Sequence, residues 1–233
     1  MSSAVILVIG DEILHGEIED QNGPWLISEL NNHNVDVERC CILPDTTDII
    51  SRTINQAFDD GADYILTTGG VGPTHDDRTL EAVGQALNSP LKYDENLIQV
   101  LEDNHGDLTA SQKKMARLPE GTEFHLLDNS IGMAFEVGDI YVFPGFPELL
   151  KPLFFKLQSN FEGDERFLET IQAEGLESDI APELEELQEE FPELQFGSYP
   201  HTDGSITLKI RGRDPELIER ARDELEKSLD RSD

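Results

Sequence analysis

Residues 4–10, AVILVIG, form an unbroken apolar run ending at a glycine, the pattern of a central parallel strand covered on both faces. Beyond it, helical and extended patterns alternate. A helix is predicted over 22–32, a strand over 35–43, and a helix over 46–60 with Asp45 or Thr46 placed to cap it. A strand over 64–68 then runs into the loop GGVGPTHDD, and a helix is predicted over 78–87. This strand and helix order predicts an α/β fold, a mostly parallel sheet with helices on both faces. Further on come helices over 94–104 and 110–117, strands over 123–126, 133–137 and 140–143, and a helix over 148–161. The polar stretch Glu162-Gly163-Asp164-Glu165 marks a boundary, giving a first domain of residues 1–163 and a second of 164–233. In the second, a strand over 167–173, a helix over 181–190, strands over 195–199 and 205–210 and a helix over 215–229 predict a small α+β module. Its β-α-β-β-α order covers one sheet face with two helices.

Composition narrows the setting. With 37% hydrophobic residues the chain can fill one substantial core, and 233 residues suit one α/β domain with a smaller companion. The formal charge of -32, from 49 acidic against 17 basic residues, is too large for a local patch and must cover most of the surface. Nucleic acid is excluded as a partner, since a phosphate backbone demands a concentrated Lys/Arg face. The acids are spread along the chain rather than gathered in a tail, which points to a halophile: at molar salt the screening length shrinks to about 3 Å and self-repulsion fades. The two cysteines, Cys40 and Cys41, are adjacent and imply no disulfide framework. The opening MSSAVILVIGDEIL has no basic leader and its apolar run is too short for a signal peptide or a membrane span, so a cytoplasmic protein without membrane contact is expected.

In an open α/β sheet, ligands settle beyond the carboxyl ends of the parallel strands. Three segments are predicted there: Gly10-Asp11-Glu12-Ile13-Leu14 with Gly16, Asp20 and Asn22; residues 67–79; and Phe143-Pro144-Gly145-Phe146-Pro147. In the middle segment Gly69, Gly70 and Gly72 permit close backbone approach and positive φ, so the amides of 69–74, including Pro73's neighbour Thr74, suit a phosphate. Two consecutive acids beside such a loop repel a phosphate unless a divalent cation sits between them, which makes Asp76 and Asp77 candidate ligands for magnesium or a similar hard ion. The plainer reading is a glycine-rich turn whose acid caps the next helix. Glu12 and Asp11 stand at the neighbouring strand end, where they orient water or ribose, or are simply solvated. The six histidines show no i, i+4 spacing, so no zinc site is expected. Trp25 reads as core.

The segment GGVGPTHDDRT resembles the signature of the molybdopterin-binding domain family, the domain shared by MoaB, MogA, gephyrin, MoeA and the N-terminal part of CinA-type proteins. Gly10 to Leu14, Gly16, Asp20 and Asn22 are similar to the opening motif of the CinA branch. So, in order, are LPD at 43–45, Asn129 to Gly132, PGFP at 144–147 and GSYP at 197–200, and the resemblance runs from residue 6 to about 212. It implies a three-layer αβα domain of MoaB/Mog type with its pocket across the strand ends. It implies that Asp77 and Asp45 are the required carboxylates, holding a divalent metal, and that Asn129, Gly132, Pro144 and Gly145 join Gly10, Asp11, Glu12 and the glycine loop around a nucleotide or pterin. The implied activity is hydrolysis of the pyrophosphate in ADP-ribose or related dinucleotides, with Asp45, Asp76 and Asp77 as its acids. Molybdopterin binding or adenylylation is the second implied use, and a non-catalytic binding or oligomerisation module the third. Relatives associate, so a homo-oligomer is expected. Two departures stand out: Met133-Ala134-Phe135-Glu136 replaces the usual small residue, Ala, Pro, Gly after Gly132, and Val71 replaces a threonine. The amide-hydrolysing domain of full-length CinA proteins is not expected within these 233 residues.

Overall fold

The structure, a computed structural model, describes residues 2–127 and 132–232. The first part of the chain runs β1 (Ser3–Ile9), α1 (Asp11–Leu14), α2 (Asn22–Asn32), β2 (Asp36–Leu43), α3 (Thr47–Asp59), β3 (Tyr64–Thr68), α4 (Thr79–Ala86), β4 (Lys92–Tyr93), α5 (Glu95–His105), α6 (Ala110–Lys114) and β5 (Arg117–Leu118). It continues through β6 (Glu123–Leu126), β7 (Met133–Val137), β8 (Ile140–Phe143) and α7 (Pro147–Leu157), which tightens into a 3-10 turn over Gln158–Asn160. Then come β9 (Phe167–Glu174), α8 (Glu177–Glu190), β10 (Gln195–Pro200), β11 (Ser205–Gly212) and α9 (Pro215–Ser232). Chain contacts divide these into two units, Met1–Gly163 and Asp164–Asp233.

The first unit is a six-stranded sheet in the order β2-β1-β3-β8-β7-β6. β1 pairs parallel with β2 and β3, and β3 with β8, while β7 and β6 run antiparallel at one side. Every residue of β1 is buried, as a strand covered on both faces requires, and its alternation divides two cores. Val5, Leu7 and Ile9 meet Ile50 and Ile54 of α3, Val83 of α4 and Leu97 of α5. Ala4, Ile6 and Val8 meet Leu26 and Leu30 of α2 and Leu150, Leu153 and Phe154 of α7. This is the expected three-layer αβα architecture with a mostly parallel sheet. Its registers matter more than its layers: Ile9 pairs with Leu43, Val8 with Thr68, and Thr68 with Phe143. Four parallel strands therefore end on one line, and the segments starting at Gly10, Pro44, Gly69 and Pro144 leave the sheet side by side.

In the second unit, β11 lies between β10 and β9, antiparallel to both. Ile206, Leu208 and Ile210 of β11 pack against Ile180 and Leu187 of α8 and Ile218 and Leu225 of α9. Among the described residues, no helix is long and apolar enough to cross a membrane.

Some elements differ from the expected ones. The helix expected over 110–117 stops at Lys114: a capping box at Thr109 and Gln112 starts it, but Arg117 and Leu118 pair with Tyr93 and Lys92 instead of continuing. The helix expected from 181 begins at Glu177 and carries Pro182 inside it. The helix expected over 148–161 is α-helical only through Leu157. The short helix α1 has no counterpart among the expected elements.

Candidate functional site: a cavity beyond the parallel strand ends

Where the four strand ends line up, a cavity of about 460 Å³ opens. Gly10 and Glu12 line it from the turn after β1, Asp45 from the turn after β2, and Pro144 and Gly145 from the turn after β8. Gly69, Gly70, Gly72, Pro73, Asp76 and Asp77 line it from the loop between β3 and α4. Asp11 and Thr74 stand just behind the lining, each bonded to a carboxylate that faces the cavity. Gly132 is buried ahead of β7 and does not line it, and Asn129 lies outside the described residues.

The loop after β3 is built on two glycines. Gly69 has φ +99°, and a Cβ there would sit 2.1 Å from the Ile9 carbonyl oxygen. Gly70 has φ +64°, and a Cβ there would sit 2.5 Å from Thr79 Oγ1. Only glycine takes this path without strain. α4 holds the loop from behind: Thr79 Oγ1 donates to the Gly69 carbonyl at 2.7 Å and the Thr79 amide to the Gly70 carbonyl at 3.0 Å.

The acids do not cap helices. α3 has Thr46 at its N-cap and α4 has Arg78, and neither cap is closed by a side-chain hydrogen bond. Asp45 turns instead toward α1, its Oδ2 accepting the Asp11 amide at 3.0 Å. Asp77 folds back on its own loop: Oδ1 accepts the Gly72 amide at 2.7 Å, and Oδ2 accepts the Thr74 amide at 2.7 Å and the Thr74 hydroxyl at 2.5 Å. The Gly69 amide is spent on the Phe143 carbonyl. The expected open row of amides over 69–74 is therefore largely engaged, because a carboxylate from the same loop satisfies the donors that an external oxyanion would otherwise take.

Electrostatics single out Asp45. Burial raises its carboxyl above the usual carboxylate range. The Asp11 amide pulls the other way, and the charges of Asp11, Glu12 and Asp76 add to the rise. Asp76 moves in the opposite direction, held low first by the Thr74 hydroxyl. Lys114 reaches the loop from α6, its Nζ donating to the Thr74 carbonyl at 2.6 Å. Asp45, Asp76 and Asp77 share the cavity without forming a compact triad: among the described residues, the one set of three acid, histidine or cysteine side chains with all ligand atoms within 4.8 Å is Glu123, His125 and Glu136, elsewhere.

Apolar residues also line the cavity, Ile13, Val71, Met115, Met133, Phe135 and Phe146 among them. Asn22 stitches the site together: its Nδ2 donates to the Gly145 carbonyl at 2.7 Å and to Thr68 Oγ1 at 3.0 Å, and Thr68 donates to the Pro144 carbonyl. Asp20 Oδ1 accepts the amides of Asn22 and Gly23 and so starts α2. In the sequence, Asp20 and Asn22 belong to a motif but carry no role of their own; the fold supplies one. Lys114 and Met115 are parts of the site that the residue pattern does not single out. Nothing local to Lys114 signals that α6 lies against a loop 40 residues earlier.

Comparison with known proteins agrees with this picture. Residues 5–160 match the model of the probable molybdopterin binding domain, and residues 165–233 that of the FAD synthase middle domain. A protein of Archaeoglobus fulgidus is 31% identical over 97% of both chains. A probable FAD synthase of Caenorhabditis elegans is 29% identical over 85% of this chain, which spans 44% of that protein's length. The crystal structure of CinA from Thermoplasma acidophilum, described as of unknown function, superposes with a TM-score of 0.63 at 26% identity, covering 69% of this chain and 98% of that one. Residues 165–233 match the FAD synthase middle domain and the fold is similar to that of a CinA protein, while the chain itself belongs to the molybdopterin-binding domain family.

Proposed function

We propose that the chain hydrolyses the pyrophosphate linkage of ADP-ribose or a related dinucleotide with the help of a divalent metal ion such as magnesium. The observation that carries this reading is Asp45: a partly buried carboxylate crowded by Asp11, Glu12 and Asp76 has an excess of negative charge that a cation relieves. Asp45 and Asp77 are the residues that would hold the ion. Each oxygen of an ionised carboxylate has two lone pairs, so Asp77 Oδ1, which accepts one hydrogen bond, keeps a free position. When bound, such an ion offsets the charge of a diphosphate and favours attack by water at phosphorus.

The chain's own residues do the remainder. Gly69 and Gly70 let the loop pass tightly against Ile9 and Thr79 at the cavity's edge, the apolar lining receives a flat ring, and Glu12 faces the cavity beside Asp45. A diphosphate oxygen that displaces Asp77 from the Gly72 and Thr74 amides takes over two short hydrogen bonds already in place. The match of residues 165–233 to the FAD synthase middle domain supports a dinucleotide ligand. Incubation of the protein with ADP-ribose, FAD or NADH and magnesium is expected to release AMP, and Asp77→Ala to slow it by on the order of 10²-fold. No turnover with any of the three, or an undiminished rate in Asp77→Ala, refutes the proposal.

The family match over residues 5–160 favours a second reading, binding or adenylylation of a molybdopterin in the same cavity. Copurification of a pterin, or ATP-dependent transfer of AMP to one, would select it. Tight nucleotide binding without turnover would select a non-catalytic module.

A further inference from the structure

The antiparallel pair β6 and β7 carries a polar cluster that is no part of the cavity. Its register sets Glu123 directly opposite Glu136, and His125, two residues along β6, shares their face because side chains alternate along a strand. Like charges directly opposite each other destabilise such a pair unless a positive group stands between them. The ammonium of Lys156, which reaches this strand, is bound to the Leu126 carbonyl at 2.8 Å.

His125 Nε2 lies 3.3 Å from Glu136 Oε2, yet it is shielded from solvent and makes no hydrogen bond. That separation has a natural reading in coordination chemistry. Two ligand atoms each about 2.0–2.1 Å from a tetrahedral zinc ion stand about 3.3–3.4 Å apart. One ligand atom from each of Glu123, His125 and Glu136 lies within 4.8 Å of the other two. Glu136 is also fixed from outside: Asn160 Nδ2 donates to both of its oxygens at 3.2 Å, and the Tyr141 hydroxyl donates to Oε1 at 3.3 Å. Donors that orient a carboxylate in this way are a regular companion of metal ligation.

We propose that Glu123, His125 and Glu136 form a divalent transition-metal site for zinc, separate from the diphosphate cavity. One imidazole and two carboxylates are a ligand set that zinc accepts, and three protein ligands leave a fourth position for water. The ion ties the edge strand β6 to β7 and removes the Glu123–Glu136 repulsion. Helical spacing rules miss this set, because two ligands stand i, i+2 on one strand and the third lies across the ladder.

The test is a titration of the chelator-treated full chain with Co2+, followed by visible absorption, and with Zn2+, followed by Tm. One equivalent of Co2+ with the intense bands of a low-coordinate site is expected in the wild type and in Asp77→Asn, and a rise in Tm with Zn2+ in both. His125→Gln is expected to abolish both signals. Asn160→Ala, which touches no ion, is expected to weaken binding by roughly 10- to 100-fold. Should His125→Gln fail to fold, Glu123→Gln, at an exposed position on the sheet edge, decides in its place. Bands that persist in these ligand variants, bands lost in Asp77→Asn, or a wild type that shows neither bands nor a Zn2+-dependent Tm, overturn the proposal.

Discussion

Asp45 sits at the cavity edge with Oδ2 on the Asp11 amide, while burial and three neighbouring acids raise its affinity for a proton. Its folded-state proton affinity exceeds that of the unfolded chain, so the fold gains from the protonated form. That contribution is present at low pH and is lost as pH rises from the ordinary carboxylate range through the raised folded value. At neutral pH the ionised group therefore works against stability. Asp45→Asn, which keeps an oxygen for the Asp11 amide, is expected to raise Tm at pH 7, with the advantage vanishing as pH falls into the carboxylate range, while ADP-ribose turnover drops by about 10²-fold. A lower Tm at pH 7 would contradict the charge account. The glycines separate in the same way. Gly69→Ala combines φ +99° with a clash on the Ile9 carbonyl and is expected to cost about 1–3 kcal/mol or more in urea unfolding. Gly72→Ala meets only the movable end of Asp77 and is expected to fold normally but bind nucleotide more weakly. That glycines and acids gather in this loop is visible in the chain; that Asp77 bonds Gly72 and Thr74 and not the start of α4 is not, since both choices satisfy the same local pattern.

The start of α4 acts as a clamp on the loop. Thr79 is fully buried, and its hydroxyl and amide take the carbonyls of Gly69 and Gly70. Thr79→Val keeps the shape and removes the donor, leaving a buried carbonyl short of a partner at about 1–3 kcal/mol. A urea midpoint lowered accordingly, with unchanged slope, is the expected result. An unchanged midpoint would mean that the loop is held by its other contacts. β1, an unbroken apolar run, and the amphipathic helices α2 and α3 are legible because their burial obeys the residue pattern. α1, β4 and β5 are not, since two to four residues carry too few positions for a period, and β5 exists only because β4 lies opposite Arg117 and Leu118.

Across the whole molecule, a charge of -32 on 233 residues leaves few cations to balance the acids. Raising KCl from about 0.1 M to about 1 M shortens the screening length from roughly 10 Å to roughly 3 Å. Tm is expected to climb steadily over that range, as repulsion among surface carboxylates is cut off. A flat Tm would show that the carboxylates are already compensated by bound ions or by their neighbours.

The order of strands and helices, the doubly covered β1, and the placement of glycines and acids after β3 were determined by the residues themselves, because period and turn chemistry act over a few neighbours. Register was not local. The folded sheet, by ending β2, β1, β3 and β8 on one line, supplied the register by which Asp45, Gly69 and Pro144, already expected at the strand ends, line a single cavity. Only the ladder between β6 and β7 set His125 beside Glu136, and only the packing of α6 brought Lys114 to Thr74. Such meetings depend on contacts between residues far apart in the chain, whose partners no short stretch of sequence specifies.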